Sequence, residues 1–281
     1  MSGFALAAID LDGTLLRSDS TLSERSRLAI ERALAAGLQI LVVTARSPRS
    51  VREIARDAGL RGLAICANGA TLYDLDADAI VRHSPLETAV AHRVVRELRE
   101  RVPGISFGWE LELRFGSEEA YEALRATEGW PRPGDAYPVC DALAWSEPMT
   151  KLLARLPDAD LAAMLEVARE ICAGEAEVTL TGDSFVEVMA AGVAKEVALA
   201  EVAESLGVDR SAVVAFGDQL TDAGMLAWAG LGVAVANAHE SALAAADEVT
   251  ASNDEDGVAR VLERLTRARV GARRAESQVS D

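Results

Sequence analysis

The chain has 281 residues, half of them hydrophobic, and a formal net charge of −17 at pH 7. This length allows two domains, and the composition is that of a globular protein rather than a disordered one. The strong negative charge disfavours nucleic acid as a partner, because a binder must neutralise the phosphate backbone. The sequence has no apolar stretch that could span a bilayer and no basic flank with an apolar signal region. We therefore expect a cytoplasmic protein that binds no membrane.

The cysteine and lysine positions exclude some sites and draw attention to others. Three cysteines are widely spaced without a C-x-x-C pair, which argues against a disulfide framework or a zinc site. Only two of the 28 basic residues are lysines, Lys151 and Lys195. That bias makes each lysine noticeable, although it is not evidence of function by itself.

The first segment of the chain alternates predicted strands and helices. The pattern predicts strands over 4–9, 39–43 and 63–66, helices over 23–36 and from Pro48 to near Gly59, and a hairpin over about 72–81. Strands that are separated by helices favour a parallel sheet with right-handed crossovers.

The middle of the chain has a different rhythm, with neighbouring strands typical of an α+β domain. We predict helices over 86–101, 117–126 and 158–172, an extended stretch over 105–115, and strands over 150–156, 175–180 and 184–189. The alternation then returns, with helices over 195–206, 240–246 and 256–267 and strands over 212–216 and 231–235. The predicted fold class is therefore α/β. It has a doubly wound parallel-sheet core (1–83 and 189–270), an inserted α+β cap (84–188) and a flexible tail (271–281).

Two carboxylates, Asp10 and Asp12, follow the first predicted strand, and Gly13 and Thr14 come next. Ligands of open α/β sheets bind at the carboxyl ends of the strands. Neighbouring carboxylates repel each other unless a cation lies between them. The segment thus suggests a metal-dependent site for phosphoryl chemistry. A solvated turn is the alternative, because Asp and Gly both favour turns, and the segment alone leaves both interpretations open.

Further polar residues stand at other predicted strand ends and helix starts: Thr44, Lys195, and Asp218 with Asp222. Each has an ordinary explanation, as a helix-entry residue, a solvated lysine, or an N-cap followed by a first-turn acid. Their order and spacing together favour a single site.

These segments resemble the four motifs of the haloacid dehalogenase (HAD) superfamily of phosphatases. An insertion between the second and third motifs is similar to the cap of its Cof-type branch. The matching segments are Asp10-Leu11-Asp12-Gly13-Thr14, Val42-Val43-Thr44-Ala45-Arg46, Gly192-Val193-Ala194-Lys195 and Gly217-Asp218-Gln219-Leu220-Thr221-Asp222. The resemblance covers nearly the whole chain except the tail, and it is specific to the superfamily rather than to a substrate.

The resemblance implies a Mg²⁺-dependent phosphatase of small phosphorylated metabolites, with sugar or polyol phosphates as the expected substrates. Asp10 would be the nucleophile that forms an aspartyl-phosphate, and Asp12 the general acid and base. The implied magnesium ligands are Asp10, the backbone carbonyl of Asp12, and Asp218, with Asp222 orienting metal-bound water or Lys195. Phosphoryl oxygens would be held by Lys195, Thr44, Thr221, the amide of Ala45 and the backbone at Leu11.

Two positions depart from the Cof-type pattern. Thr221 stands where that branch usually has Asn, which leaves this single contact open because a hydroxyl has a shorter reach than an amide. Ala45 stands where Gly is common, which is a mild change unless the backbone there has a positive φ.

The cap is expected to carry substrate specificity. Candidate lining residues are Arg46, Trp109, Glu110, Arg114, Trp130 and Trp145, although for the tryptophans a place in the core of the cap is the favoured interpretation. A phosphomutase remains an alternative, because Asp12 could activate a sugar hydroxyl as well as water. A non-enzymatic phosphometabolite-binding protein is a second alternative. A response-regulator receiver is less suitable, since it is far shorter and lacks a cap. The sequence does not indicate the oligomeric state.

Overall fold

The computed structural model describes residues 3–127, 138–181 and 185–279. Its strands are β1 (Leu6–Ile9), β2 (Gln39–Val43), β3 (Leu63–Cys66), β4 (Thr71–Asp74), β5 (Ala79–His83), β6 (Ser106–Leu111), β7 (Arg114–Ser117), β8 (Lys151–Arg155), β9 (Ala176–Thr181), β10 (Phe185–Ala190), β11 (Val213–Gly217), β12 (Leu231–Ala234) and β13 (Glu248–Val249). Its helices are α1 (Glu24–Ala35), α2 (Pro48–Ala58), α3 (Thr88–Arg101), α4 (Glu119–Thr127), α5 (Leu161–Cys172), α6 (Lys195–Ser205), α7 (Ala223–Trp228), α8 (Glu240–Ala245) and α9 (Gly257–Val279).

The strands form two sheets. The larger has the order β13-β12-β11-β1-β2-β3-β4-β5, and all of its neighbours are parallel except the β3–β4 and β4–β5 pairs. The smaller sheet, which we call the cap sheet, is antiparallel and has the order β7-β6-β8-β10-β9. The predicted α/β class with a doubly wound core and an inserted α+β unit is confirmed.

The large sheet is covered on both faces because its central strands are apolar on both. In β1, Ala7 and Ile9 pack with α1, α2 and α9, whereas Leu6 and Ala8 pack with α6, α7 and α8. Alternate residues of a strand point to opposite faces, so a continuous apolar run is what a buried parallel strand requires. The chain order leaves β1 between β2 and β11, where the direction of winding reverses. Such a switch point creates a crevice at the carboxyl ends of the strands.

Local sequence signals explain the ends of the first helices. The Ser23 side chain accepts a hydrogen bond from the Ser26 amide (2.9 Å) and so caps α1. Pro48 occupies the first turn of α2, where its missing amide proton costs nothing, and Gly59 ends α2 in the left-handed region. Helix α1 connects β1 to its neighbour β2, and α2 connects β2 to its neighbour β3.

Some details differ from the sequence expectation. The stretch 105–115 is a hairpin of β6 and β7, and the short elements α7 and β13 were not predicted. Helix α9 continues to Val279 across most of the predicted tail (271–281), because Arg, Ala, Glu and Gln are good helix formers and an isolated Gly is tolerated. The domain boundaries at 84 and 189 stay a prediction, and β10 crosses the second of them. No helix in the described ranges is long and apolar enough to cross a membrane.

Candidate active site

The carboxyl ends of β1 and β11 bring the first and fourth motifs together. Ile9 pairs with Phe216 in the parallel register, so Asp10 and Asp218 both emerge just beyond the paired residues. The Asp10 amide continues the ladder by donating to the Phe216 carbonyl (3.0 Å). Both carboxylates are buried, with residue exposures of 4% and 2%. Two buried acids at one sheet edge require partners that compensate for their lost hydration.

Lys195 supplies one of these partners from the first residue of α6. Its Nζ donates to Asp10 Oδ1 (2.7 Å) and to Asp222 Oδ1 (2.6 Å), and the three side chains are almost fully buried. The loop at Gly69 approaches the residue before Lys195 closely. Gly69 has φ +107°, and a Cβ there would lie 2.5 Å from the Ala194 carbonyl oxygen. The sequence Asn68-Gly69 after β3 thereby helps to fix the start of α6 and the lysine on it.

Asp218 is fixed by the first motif and by its own neighbour in sequence. Its Oδ1 accepts from the Thr14 hydroxyl (2.6 Å), and its Oδ2 accepts from Gln219 Nε2 (2.7 Å). Gly13 has φ +75° and lies so close that a Cβ would be 2.4 Å from Asp218 Oδ2. Asp222 in turn accepts from the amides of Asp218 (3.0 Å) and Gln219 (2.8 Å) through Oδ2. The fourth motif thus forms a rigid turn around two carboxylates.

The cluster has an excess of negative charge. Three carboxylates, those of Asp10, Asp218 and Asp222, have oxygens within 4.8 Å of one another, and one ammonium group lies among them. Burial raises the pKa of Asp10 well above its usual range, and Asp222 and Asp218 raise it further. Burial also raises the pKa of Asp218. Burial alone would lower the pKa of Lys195, but the attraction of Asp10 and Asp222 outweighs it and raises that pKa.

Burial is the main reason for the raised pKa values of Asp10 and Asp218, and the single ammonium group does not offset it. A divalent cation would add positive charge, and carboxylate oxygens are the ligands that Mg²⁺ prefers. The donor set of this cluster therefore fits a magnesium ion.

Asp12 lies outside the buried cluster. Its side chain is about half exposed and is held by Arg46, which donates from Nε to Oδ2 (2.6 Å) and from Nη2 to Oδ1 (2.5 Å). Such a two-point contact fixes the orientation of a carboxylate as well as its charge. Arg46 was expected in the lining of the cap cleft, and the sequence did not indicate its pairing with Asp12.

Thr44 and Ala45 form the loop after β2. Thr44 is 1% exposed, and its hydroxyl oxygen accepts from the Arg46 amide (3.1 Å). The Ala45 carbonyl accepts from Lys151 of the cap sheet (2.9 Å). The structure brings Thr44 to the same sheet edge as Asp10, because β1 and β2 pair in parallel with Ile9 opposite Val42.

Leu11 and Thr221 complete the set that the sequence predicts. Leu11 is fully buried in the turn after β1. Thr221 lines a cavity of about 370 Å³ together with Lys195, Asn68 and residues of β9. The Asn68 side chain is 3% exposed, and within the described residues its Oδ1 has no hydrogen-bond partner. Lys195 and Asn68 thus both belong to the lining of this cavity.

The predicted cap-lining residues have other partners. Trp109 is fully buried in the cap and packs against Trp145, with ring centroids 5.9 Å apart, so both serve the cap core. Glu110 pairs with Arg49 of α2 (3.2 Å), and Arg114 pairs with Glu147 on the surface (2.8 Å). Trp130 lies outside the described residues.

Sequence reasoning missed some residues that support the site. Thr14 was noted in its motif and Asn237 in a segment similar to the Cof-type branch, both without a role, and Glu187 was not considered. Asn237 Nδ2 donates to the Gly13 carbonyl (2.8 Å) and so braces the turn that carries the first motif. Glu187 could have been noticed as a charged residue in the middle of an otherwise apolar strand.

The fold and this cluster define a class of enzyme, and comparison with known proteins agrees. Residues 7–262 match the family described as haloacid dehalogenase-like hydrolase, and the chain belongs to that family. Several of its relatives are named phosphatases, and together with this membership they identify the chain as a phosphatase of Cof type.

Individual relatives span nearly the whole chain. It is 31% identical over 258 residues to the 5-amino-6-(5-phospho-D-ribitylamino)uracil phosphatase YcsE of Bacillus subtilis (strain 168), covering 92% of this chain and 94% of that protein. It is 28% identical over 267 residues to the pyridoxal phosphate phosphatase YbhA of Escherichia coli (strain K12), covering 91% and 96%. The solved structure of the HAD phosphatase BT1666 from Bacteroides thetaiotaomicron superposes with a TM-score of 0.80 at 25% identity, covering 94% and 95%.

Proposed function

We propose that the chain is a Mg²⁺-dependent phosphatase that hydrolyses phosphate monoesters of small metabolites through an aspartyl-phosphate on Asp10. The observation that carries this proposal is the buried cluster of Asp10, Lys195, Asp218 and Asp222 at the switch point of the sheet. The three carboxylates have too little positive charge around them, so they suit a metal ion. The ammonium group beside them suits a phosphoryl group.

In the first step, an Asp10 carboxylate oxygen attacks phosphorus and the bond to the leaving-group oxygen breaks. Lys195 lowers the pKa of the buried Asp10 and so opposes the effect of burial, and it neutralises charge that develops on the phosphoryl oxygens. Asp12 donates a proton to the departing oxygen. Thr44, Thr221, the Ala45 amide and the backbone at Leu11 hold the phosphoryl oxygens.

In the second step, Asp12 takes a proton from water, and the resulting hydroxide attacks phosphorus. The bond between Asp10 and phosphorus breaks, which releases inorganic phosphate and restores the carboxylate. Arg46 holds the Asp12 carboxylate by two hydrogen bonds, so it orients this proton carrier. Asp10, the Asp12 carbonyl and Asp218 would hold Mg²⁺, with Asp222 beside them, and the ion would lower the cost of bringing an anionic phosphate to these acids.

A sugar or polyol phosphate is the substrate class that we favour. The cavity of about 370 Å³ beside Lys195 is within the usual range for a small ligand. The unpartnered Asn68 Oδ1 is a ready acceptor for a substrate hydroxyl. Among the described residues no aromatic side chain lines the cavity, so this lining offers no stacking surface for a planar heteroaromatic group.

Phosphate release from p-nitrophenyl phosphate and from a panel of sugar, polyol and heteroaromatic phosphates tests the proposal. We expect turnover that requires Mg²⁺, is abolished by EDTA and is lost in Asp10→Asn. Full activity of Asp10→Asn would refute the nucleophile, and turnover that resists EDTA would refute the metal. Isomer formation without release of phosphate would favour a phosphomutase instead.

A further inference from the structure

A buried hydrogen-bond network connects the cap sheet to the loop that carries Thr44. Lys151 in β8 is 5% exposed, and its Nζ donates to the Ala45 carbonyl oxygen (2.9 Å). The same ammonium group is ion-paired with Glu187, a fully buried residue of the neighbouring strand β10. Lys151 is therefore a buried link between the cap sheet and a loop of the core, not a surface residue.

Glu187 ties the network to a second loop of the core. Its Oε2 accepts from Asn68 Nδ2 (2.8 Å), while its Oε1 pairs with Lys151. The loops after β2 and β3 are themselves bonded, because the Asn68 amide donates to the Thr44 carbonyl (3.0 Å) and the Ala67 amide donates to the Arg46 carbonyl (2.8 Å). The cap carboxylate thus fixes the position of the lysine relative to both loops.

The peptide that Lys151 contacts leads directly to Thr44. The carbonyl of Ala45 and the amide of Arg46 belong to one peptide unit, and that amide donates to Thr44 Oγ1 (3.1 Å). A cation on the carbonyl oxygen polarises the peptide and strengthens its amide as a donor. Within the described residues the Thr44 hydroxyl donates to no protein acceptor, so its proton is free for a phosphoryl oxygen.

We propose that Lys151 is a positioning residue for phosphate binding. It acts from the cap sheet through the Ala45–Arg46 peptide to orient and strengthen the Thr44 hydroxyl as a donor to the phosphoryl group. This inference rests on the proposed phosphatase function and adds a residue of the cap to its phosphate site. The cap thereby influences the binding of the transferring group and not only that of the leaving group.

A second cap–core ion pair provides a matched control. Glu110 lies opposite Lys151 in the β6–β8 register and pairs with Arg49 of α2 (3.2 Å). That contact also joins the cap sheet to the core. Among the hydrogen bonds of the described residues, none joins Glu110 to the Thr44 loop, and Glu110 interacts with Lys151 only through the attraction of their charges. Removing the ion pair with Glu110→Gln weakens the attachment of the cap without disturbing the peptide next to Thr44.

The test is a double-mutant cycle measured with p-nitrophenyl phosphate and Mg²⁺. One arm is Lys151→Met/Glu187→Gln, which removes both buried charges together and leaves none unpaired. The other arm is Thr44→Val, which removes the hydroxyl. We expect Lys151→Met/Glu187→Gln, the neutral pair, to lower kcat/KM on the order of tenfold when Thr44 is present. In a protein that already carries Thr44→Val, the same two substitutions should lower kcat/KM by less than about twofold. The inhibition constant of inorganic phosphate should rise in parallel.

Equal losses in both backgrounds would overturn the inference, because Lys151 would then only attach the cap. Glu110→Gln should show such equal losses, and this contrast separates attachment from positioning. If the neutral pair fails to fold, as judged by thermal unfolding, Glu187→Gln alone loosens the lysine and must still couple to Thr44→Val. If the unsubstituted protein shows no turnover, the phosphatase function itself is refuted. If it turns over normally but the losses from the neutral pair and from Thr44→Val simply add, only the role of Lys151 is refuted.

Discussion

Replacing Gly13 by alanine should displace Asp218 in the candidate active site, because the added Cβ has no room. Gly13 has φ +75°, and the added Cβ would lie 2.4 Å from Asp218 Oδ2, 3.0 Å from its Cγ and 3.3 Å from Oδ1. The left-handed backbone conformation costs about 1–2 kcal/mol for any residue with a Cβ. The clash displaces a carboxylate that is 2% exposed and bonded to Thr14, which forfeits a hydrogen bond to a charged group worth about 1.5–3 kcal/mol.

Gly59→Ala is the matched control. Gly59 has φ +66° at the end of α2, and nothing lies within 4 Å of a Cβ built there. The control therefore has the same backbone cost without the clash. We expect Gly13→Ala to lose about 2.5–5 kcal/mol of unfolding free energy and Gly59→Ala about 1–2 kcal/mol.

Urea denaturation in EDTA measures the two free energies, and hydrolysis of p-nitrophenyl phosphate measures the functional effect. A displaced Asp218 should lower kcat on the order of 100-fold in Gly13→Ala, since a misplacement of about 1 Å can have that effect. Gly59→Ala should keep native turnover. Equal stability of the two variants, or native turnover of Gly13→Ala, would refute the reasoning.

Three further predictions concern charge and burial. Asp222→Ala should lose about 1.5–3 kcal/mol of unfolding free energy, because Lys195 and the amides of Asp218 and Gln219 lose a charged acceptor while Lys195 keeps Asp10, and a gain in stability would contradict this. Arg46→Met should lower kcat for an alkyl phosphate about tenfold by freeing Asp12, yet change stability by less than about 1 kcal/mol, since the pair is partly exposed. In native protein at pH 8, a thiol reagent should label Cys140 first, because it is only half-buried. The other two thiols are buried, which raises their pKa values, and should react only after unfolding; three equally fast thiols would contradict this.

Much of the core could be predicted from sequence because its signals are local. The apolar runs of β1 and β11 end at acidic residues, and parallel strands place such ends at one edge of the sheet. The grouping of Asp10, Lys195 and Asp218 follows from this geometry together with the spacing of the motifs. The cap was predicted because its predicted strands follow one another directly, whereas strands and helices alternate in the segments on either side.

The pairing of charged side chains could not be predicted in the same way. Two basic side chains contact residues that are far from them in sequence. Arg46 pairs with Asp12, and Lys151 pairs with Glu187 and donates to the Ala45 carbonyl. Neither periodicity nor capping chemistry reports such contacts, because they depend on how loops lie next to each other, on strand register and on how the cap sheet packs over the core. The tryptophans illustrate the same limit, since their fused rings suit a cleft and a core equally well.

The order of the strands along the chain has a consequence for how the enzyme is made. β1 and β11 are neighbours in the sheet, and the Thr14–Asp218 bond spans 204 positions of sequence. During synthesis from the N-terminus, β1 emerges with an open edge, and the whole cap follows before β11 can cover it. Unpaired strand edges promote aggregation, so this interval is the vulnerable stage of biogenesis. Asp10, the proposed nucleophile, is made first, but its partners Lys195, Asp218 and Asp222 join it only after the last third of the chain has been made.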